Sequence, residues 1–130
     1  MTSYQLLRDE ALSVERWNRL HVGEPQRVPY VTQMMQSAPG PVVAVTDYLK
    51  SVPDMVARWL PKSYTSLGTD GFGRSDTRET LRRFFEVNAA HIVVATLAAL
   101  AQQGHIAPGV VSQAIQEFGI GPDYLDPWRQ

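Results

Sequence analysis

The stretch "VVAVTD", Val42 to Asp47, is rich in β-branched residues and bounded by Pro41 and an acid. Such a run suits a strand buried on both faces of a parallel sheet. A parallel partner is reached only through a crossover, so a helix is expected next. Met55, Val56, Trp59 and Leu60 supply its apolar face, Pro53 lies in its first turn or kinks it if it starts nearer Tyr48, and Pro61 stops it. "YTSLG" at Tyr64 to Gly68 reads as a second short strand, and "GTDGFGRSD", Gly68 to Asp76, carries it into a helix on which Leu81, Phe84 and Phe85 share a face. Strands alternating with helices predict an α/β layered fold with a largely parallel sheet. Two short parallel strands do not make a stable sheet, and a parallel sheet needs both faces covered. The expectation is therefore that the sheet is completed by another chain, or by earlier strands of a longer polypeptide.

The rest of the chain reads as helix. Ser3 caps a helix from Tyr4 whose stripe is Leu7, Ala11, Val14, Trp17 and Leu20, with Ser13 as a point where it can divide. Past "VGEPQ", Pro29 is placed as a first helical residue ahead of Val31, Met34 and Met35, and "SAPGP" closes that element. Asn88 caps a helix from Ala89 to about Gln103 that is apolar nearly all round, which demands cover on more than one side; Gly104 ends it. Pro108 opens the last helix, striped by Val110, Val111, Ala114, Ile115 and Phe118 and closed by Gly119. The tail carries Tyr124, Leu125 and Trp128, expected to pack back on the domain, with a subunit interface as the alternative such aromatic residues suit.

With 44% apolar and 19% charged residues in 130, one soluble domain over residues 1–130 is expected. A net charge of −1 supplies no field for nucleic acid and no polybasic membrane anchor. The longest apolar stretch, Ile92 to Ala101, is half of the roughly 20 residues a membrane span needs. There is no cysteine, which excludes a disulfide framework, and acids in the first ten residues argue against a secretory signal, so the cytoplasm is expected.

Three chemistries are candidates for the glycine-rich loop. Gly71-Phe72-Gly73-Arg74-Ser75-Asp76 places an acid where a dinucleotide fingerprint needs its third glycine, and the Walker ending is missing. Gly73-Arg74-Ser75-Asp76-Thr77 resembles a nucleophile elbow but has Thr77 for the second glycine, and no acid and histidine follow in the hydrolase order. The plain reading is a tight strand-to-helix turn in which Gly71 and Gly73 permit positive φ and Ser75 or Asp76 caps the helix, Asp76 and Glu79 standing at capping-box spacing. Beside it stands a contact role, in which Arg74 and exposed amides meet a carboxylate or phosphate of a ligand or a neighbouring subunit. Arg74, Arg78, Arg82 and Arg83 are interleaved with Asp76, Glu79 and Glu86, as on a solvated ion-paired face. His21, His91 and His105 lack metal-ligand spacing, and no metal site is expected.

Several motifs together, "ERWNRLH" from Glu15, "RVPYV" from Arg27, "TDYLK" from Thr46 and the block Leu67 to Gly104, resemble the C-terminal end of the homodimeric-type decarboxylating component of the pyruvate dehydrogenase complex. The resemblance spans nearly the whole chain. Its departures are small: Val22 stands where a proline is usual, and Asn88 replaces an aspartate of equivalent capping power. It implies a transketolase-type C-terminal domain, a three-layer α/β/α sandwich on a mostly parallel five-stranded sheet with one antiparallel strand, truncated here near the end of its second strand. It also implies a parent enzyme that uses thiamine diphosphate and magnesium, between two preceding domains and across a dimer, to decarboxylate pyruvate and hand the two-carbon unit to a lipoyl acyltransferase. The family's Gly-Asp-Gly…Asn metal signature is not met, because Thr69-Asp70-Gly71 has the wrong first residue and Asn88 follows too soon. No catalytic or cofactor residue therefore carries over. What the resemblance implies for this chain is scaffold and dimer-interface work, partnered by the rest of the decarboxylating component or a second copy. The loop with Asp70, Arg74, Ser75 and Asp76 would face the approach to the active site or an interface. A stand-alone, non-enzymatic dimerisation or complex-binding module is the alternative.

Overall fold

The structure is a computed structural model that describes residues 3–129. Met1, whose place near a strand end the resemblance implies, lies outside the described residues, as does the Trp128 side chain.

Helix α1, Tyr4–Leu20, starts where Ser3 Oγ accepts the Leu6 amide at 3.2 Å. It runs past Ser13 without a break: Ser13 is exposed, and its hydroxyl loses nothing to burial there. Helix α2, Tyr30–Gln36, begins one residue later than expected. Pro29 is extended (ψ 143°) and serves as the cap position, while Glu10 Oε2 of α1 accepts the Tyr30 amide at 3.0 Å. The connection is fixed by Asn18, which bonds both the Arg27 amide and carbonyl at 2.8 Å, and by a stack in which Arg27 lies over Trp17 and Trp17 on His21. Val31, fully buried, and Ala11 lock the two helices together.

Strands β1, Val42–Val45, and β2, Tyr64–Leu67, pair in parallel, Val42 opposite Tyr64 through Val45 opposite Leu67. The crossover between them departs from expectation. In place of one helix there is a four-residue α3, Ser51–Asp54, with Pro53 in its first turn, followed by a 3₁₀ turn at Ala57–Trp59. Bonds to distant elements outweigh local helicity here. Trp59 Nε1 donates to Glu15 Oε1 at 2.8 Å, Arg58 pairs with the same carboxylate, and the Trp59 carbonyl accepts from Thr32 at 2.6 Å. Val56 and Pro53 are buried beneath.

Helix α4, Arg78–Phe84, and α5, Ala89–Gln102, are separated by a turn in which Glu86 has φ 58°. Asn88 caps α5 as expected, accepting the His91 amide at 3.1 Å. The span Arg78–Gln102 is long and apolar enough by composition to cross a membrane, but the turn divides it into helices of 7 and 14 residues, each short of the roughly 20 a span requires. Helix α5 lies across both strands, and α6, Pro108–Glu117, packs on α5. Gly104 and Gly119 end these helices in the left-handed region at φ 75° and 60°.

One expectation fails in a telling way: none of the eight strand residues is fully buried, and Val45 is 39% exposed. Total accessible surface is 8798 Å² for 14.5 kDa, against about 6,900 Å² for a compact monomer of that mass. Both strands and most of the helices form as read, the crossover excepted, but their apolar faces are only partly covered.

Candidate functional site

The carboxyl ends of both strands carry loops that lie against each other, the position where open parallel sheets place ligands. Gly68 lets them meet. A Cβ there would stand 2.6 Å from the Tyr48 carbonyl oxygen, so only glycine permits the approach, and the Thr69 amide then donates to that carbonyl at 2.9 Å. Asp70 continues the seam. Its Oδ1 accepts the Lys50 amide at 2.9 Å and its Oδ2 lies 3.4 Å from Lys50 Nζ. The sequence put Asp70 in an interface loop, and the structure places it as the clamp between the two loops. A carboxylate so committed does not fit a magnesium–diphosphate ligand, and no group of three metal-ligating side chains gathers among the described residues. The site's residues do not fit that cofactor.

Beyond Asp70 the chain turns outward, and every residue from Gly71 to Thr80 is exposed. Of the two glycines read as positive-φ positions, Gly71 is one at 104°, while Gly73 is not. The cap differs. Thr77, not Ser75 or Asp76, takes the position, its Oγ1 accepting the Thr80 amide at 3.3 Å, while Asp76 Oδ1 accepts the Thr77 amide at 2.6 Å. Ser75 makes no side-chain hydrogen bond among the described residues, and His21 and His91 spend their Nδ1 atoms on the Trp17 carbonyl and Asn88 Oδ1. No nucleophile–base pair forms around Ser75.

Between this loop and α4 lies a cleft of about 460 Å³. Arg74, Arg78 and Arg82 line it together with Asp47 and Asp76, over Leu81, Phe85 and Val87. Arg82 pairs with Asp47 at 3.2 Å, a link across 35 residues that nothing in the local sequence signals. Arg74 lies over the Phe84 ring at 4.1 Å. A second cleft, about 680 Å³, runs between α4 and the tail near His91, Glu86 and Tyr124. Burial, then the nearby Arg83, hold the His91 pKa below its ordinary 6.5 despite the opposing pull of Glu86. Tyr124 and Leu125 are 80% and 65% exposed, so the expected packing of the tail is slight at these two residues.

Residues 1–88 match the family model of the transketolase-like TK C-terminal domain. The chain is 48% identical over 126 residues, 96% of its length, to the pyruvate dehydrogenase E1 component of Pseudomonas aeruginosa, and 48% identical over 128 residues to that of Escherichia coli K12. To the Mycobacterium tuberculosis protein of the same name it is 42% identical over 120 residues. The likeness is to the C-terminal region of these proteins. The chain spans 14% of the length of the first two and 13% of the third.

Proposed function

The chain belongs to the transketolase-like C-terminal domain family, and from that premise we propose that it serves as the C-terminal domain of a pyruvate-decarboxylating E1 component. Its task is scaffold and interface. It is one part of a three-layer α/β/α sandwich on a mostly parallel sheet, and it works against polypeptide that carries the thiamine diphosphate and magnesium. Its partners are the remainder of the decarboxylating component or a second copy, with the lipoyl acyltransferase engaged indirectly, in the cytoplasm. Alone it does not turn over pyruvate.

The observation that carries this reading is the roughly 1,900 Å² of surface in excess of a closed monomer, in a chain whose sheet has only two strands. That is an area of the size stable protein interfaces bury. The exposed loop with Arg74, Ser75 and Asp76 stands at the carboxyl end of β2, on the side from which substrate approaches in this reading. Asp70 holds that loop in place.

The test is complementation. The Escherichia coli E1 component lacking its C-terminal region is mixed with this chain, and a stable complex that regains pyruvate turnover is expected. A chain that stays a compact monomer and neither binds nor restores the truncated enzyme would overturn the proposal.

A further inference from the structure

The cleft between the outward loop and α4 has a charge arrangement that scaffold work does not call for. Among the cationic side chains of the lining, Arg82 is neutralised by Asp47. The Arg78 guanidinium makes no ion pair or hydrogen bond among the described residues. Arg74 is steadied by a ring rather than an acid: its guanidinium carbon lies 4.1 Å from the Phe84 ring centre, and among the described residues its N–H groups make no ion pair or hydrogen bond, which leaves them for another acceptor. Of the two acids in the cleft wall, Asp47 is taken by Arg82, and Asp76 accepts the Thr77 amide. Three arginines against two aspartates leave the lining with a net charge of +1.

The cavity's shape adds a second constraint. About 460 Å³ falls within the range of small-molecule sites, and Leu81 and Phe85 give it an apolar floor. Phe72, 88% exposed, stands at the rim as a ring with no aromatic or cationic partner among the described residues. An anionic head fits the arginine side and an apolar body fits the floor. We infer that this cleft binds a small organic anion, a phosphate or carboxylate on an apolar body, with Arg74 and Arg78 as its ligands and Arg82 held back by Asp47. The site goes beyond the scaffold role and does not depend on it.

Two probes distinguish the head groups, phenyl phosphate and benzoate, each titrated into the full 130-residue chain at fixed ionic strength. Saturable binding by calorimetry is expected for at least one, together with amide shifts in NMR spectra confined to residues 71–82. Selectivity for phenyl phosphate identifies a phosphate ligand, and selectivity for benzoate a carboxylate. Arg74→Gln and Arg78→Gln should each weaken binding by about tenfold, the scale of one charge-assisted hydrogen-bonded contact. Arg8→Gln on α1 should leave it unchanged. Arg78 and Arg74 are exposed, so neither variant threatens folding. Absence of saturable binding for both probes, shifts centred elsewhere, affinity indifferent to Arg74 and Arg78, or a chain that gives no dispersed spectrum with either probe would each overturn the inference.

Discussion

Asp70 shows how much one carboxylate can decide. It satisfies the Lys50 amide and sits beside the Lys50 ammonium, both about three-quarters removed from solvent, so the two loops above the sheet are one body. Asp70→Ala leaves that amide without its acceptor and should cost about 1–3 kcal/mol in urea denaturation. Gly68→Ala drives a methyl group to 2.6 Å from the Tyr48 oxygen and should cost about as much, by overpacking and loss of the Thr69 bond. His91 gives a pH test. Its folded pKa lies below the unfolded 6.5, so its contribution is complete above 6.5 and is lost as pH falls through the lower folded value. The urea midpoint should therefore drop from about pH 7 to about pH 5, and His91→Gln should flatten that part of the profile. The spacing of the sequence named Gly68 and Asp70 as loop residues. It did not show that a neighbouring loop, 20 residues back, would come to lie on them, because that contact exists only once β1 and β2 pair.

At the scale of elements, caps and stripes were legible because they act within one turn of helix. Ser3 and Asn88 cap as their residue types dictate, and Gly104 and Gly119 terminate as theirs do. Asn88→Ala should cost α5 about 1 kcal/mol, read as earlier amide exchange in its first turn. The crossover after β1 was not legible. Met55, Val56 and Trp59 are apolar at helical spacing, but Trp59 is bonded to α1 and α2 through Glu15 and Thr32, and those bonds select a 3₁₀ turn. Helix α5 offers a direct check on what covers it. Val93 is 41% exposed on a helix apolar all round, so Val93→Arg should barely change the stability of the chain alone yet weaken complex formation with the truncated E1 component by about tenfold or more. Equal affinity for the variant would show that the outer face of α5 is not an interface.

For the molecule as a whole, the surface excess has a measurable counterpart. Denaturant sensitivity follows the area exposed on unfolding, so this chain should show a shallower urea dependence than a closed domain of 130 residues, and a steeper one in complex. The sequence anticipated the deficit from the strand count alone; the sheet has two strands, and their partial burial corrects the expectation of strands buried on both faces. The cleft beside α4 belongs to this scale as well. Its arginines are spaced along the sequence as on any solvated helix face, and only the pairing of Arg82 with Asp47 separates the committed guanidinium from the unpaired one at Arg78.

By itself the amino-acid order determined most of the helices, the caps at Ser3 and Asn88, the glycine stops, the two parallel strands and the family to which they belong, since these depend on periodicity, capping and local backbone preference. Tertiary structure alone decided which loop clamps which, where Trp59 is pinned and that Arg82 rather than Arg78 pairs with Asp47. Those outcomes rest on contacts between residues 20 to 44 positions apart, and no local pattern carries the geometry that brings such residues together.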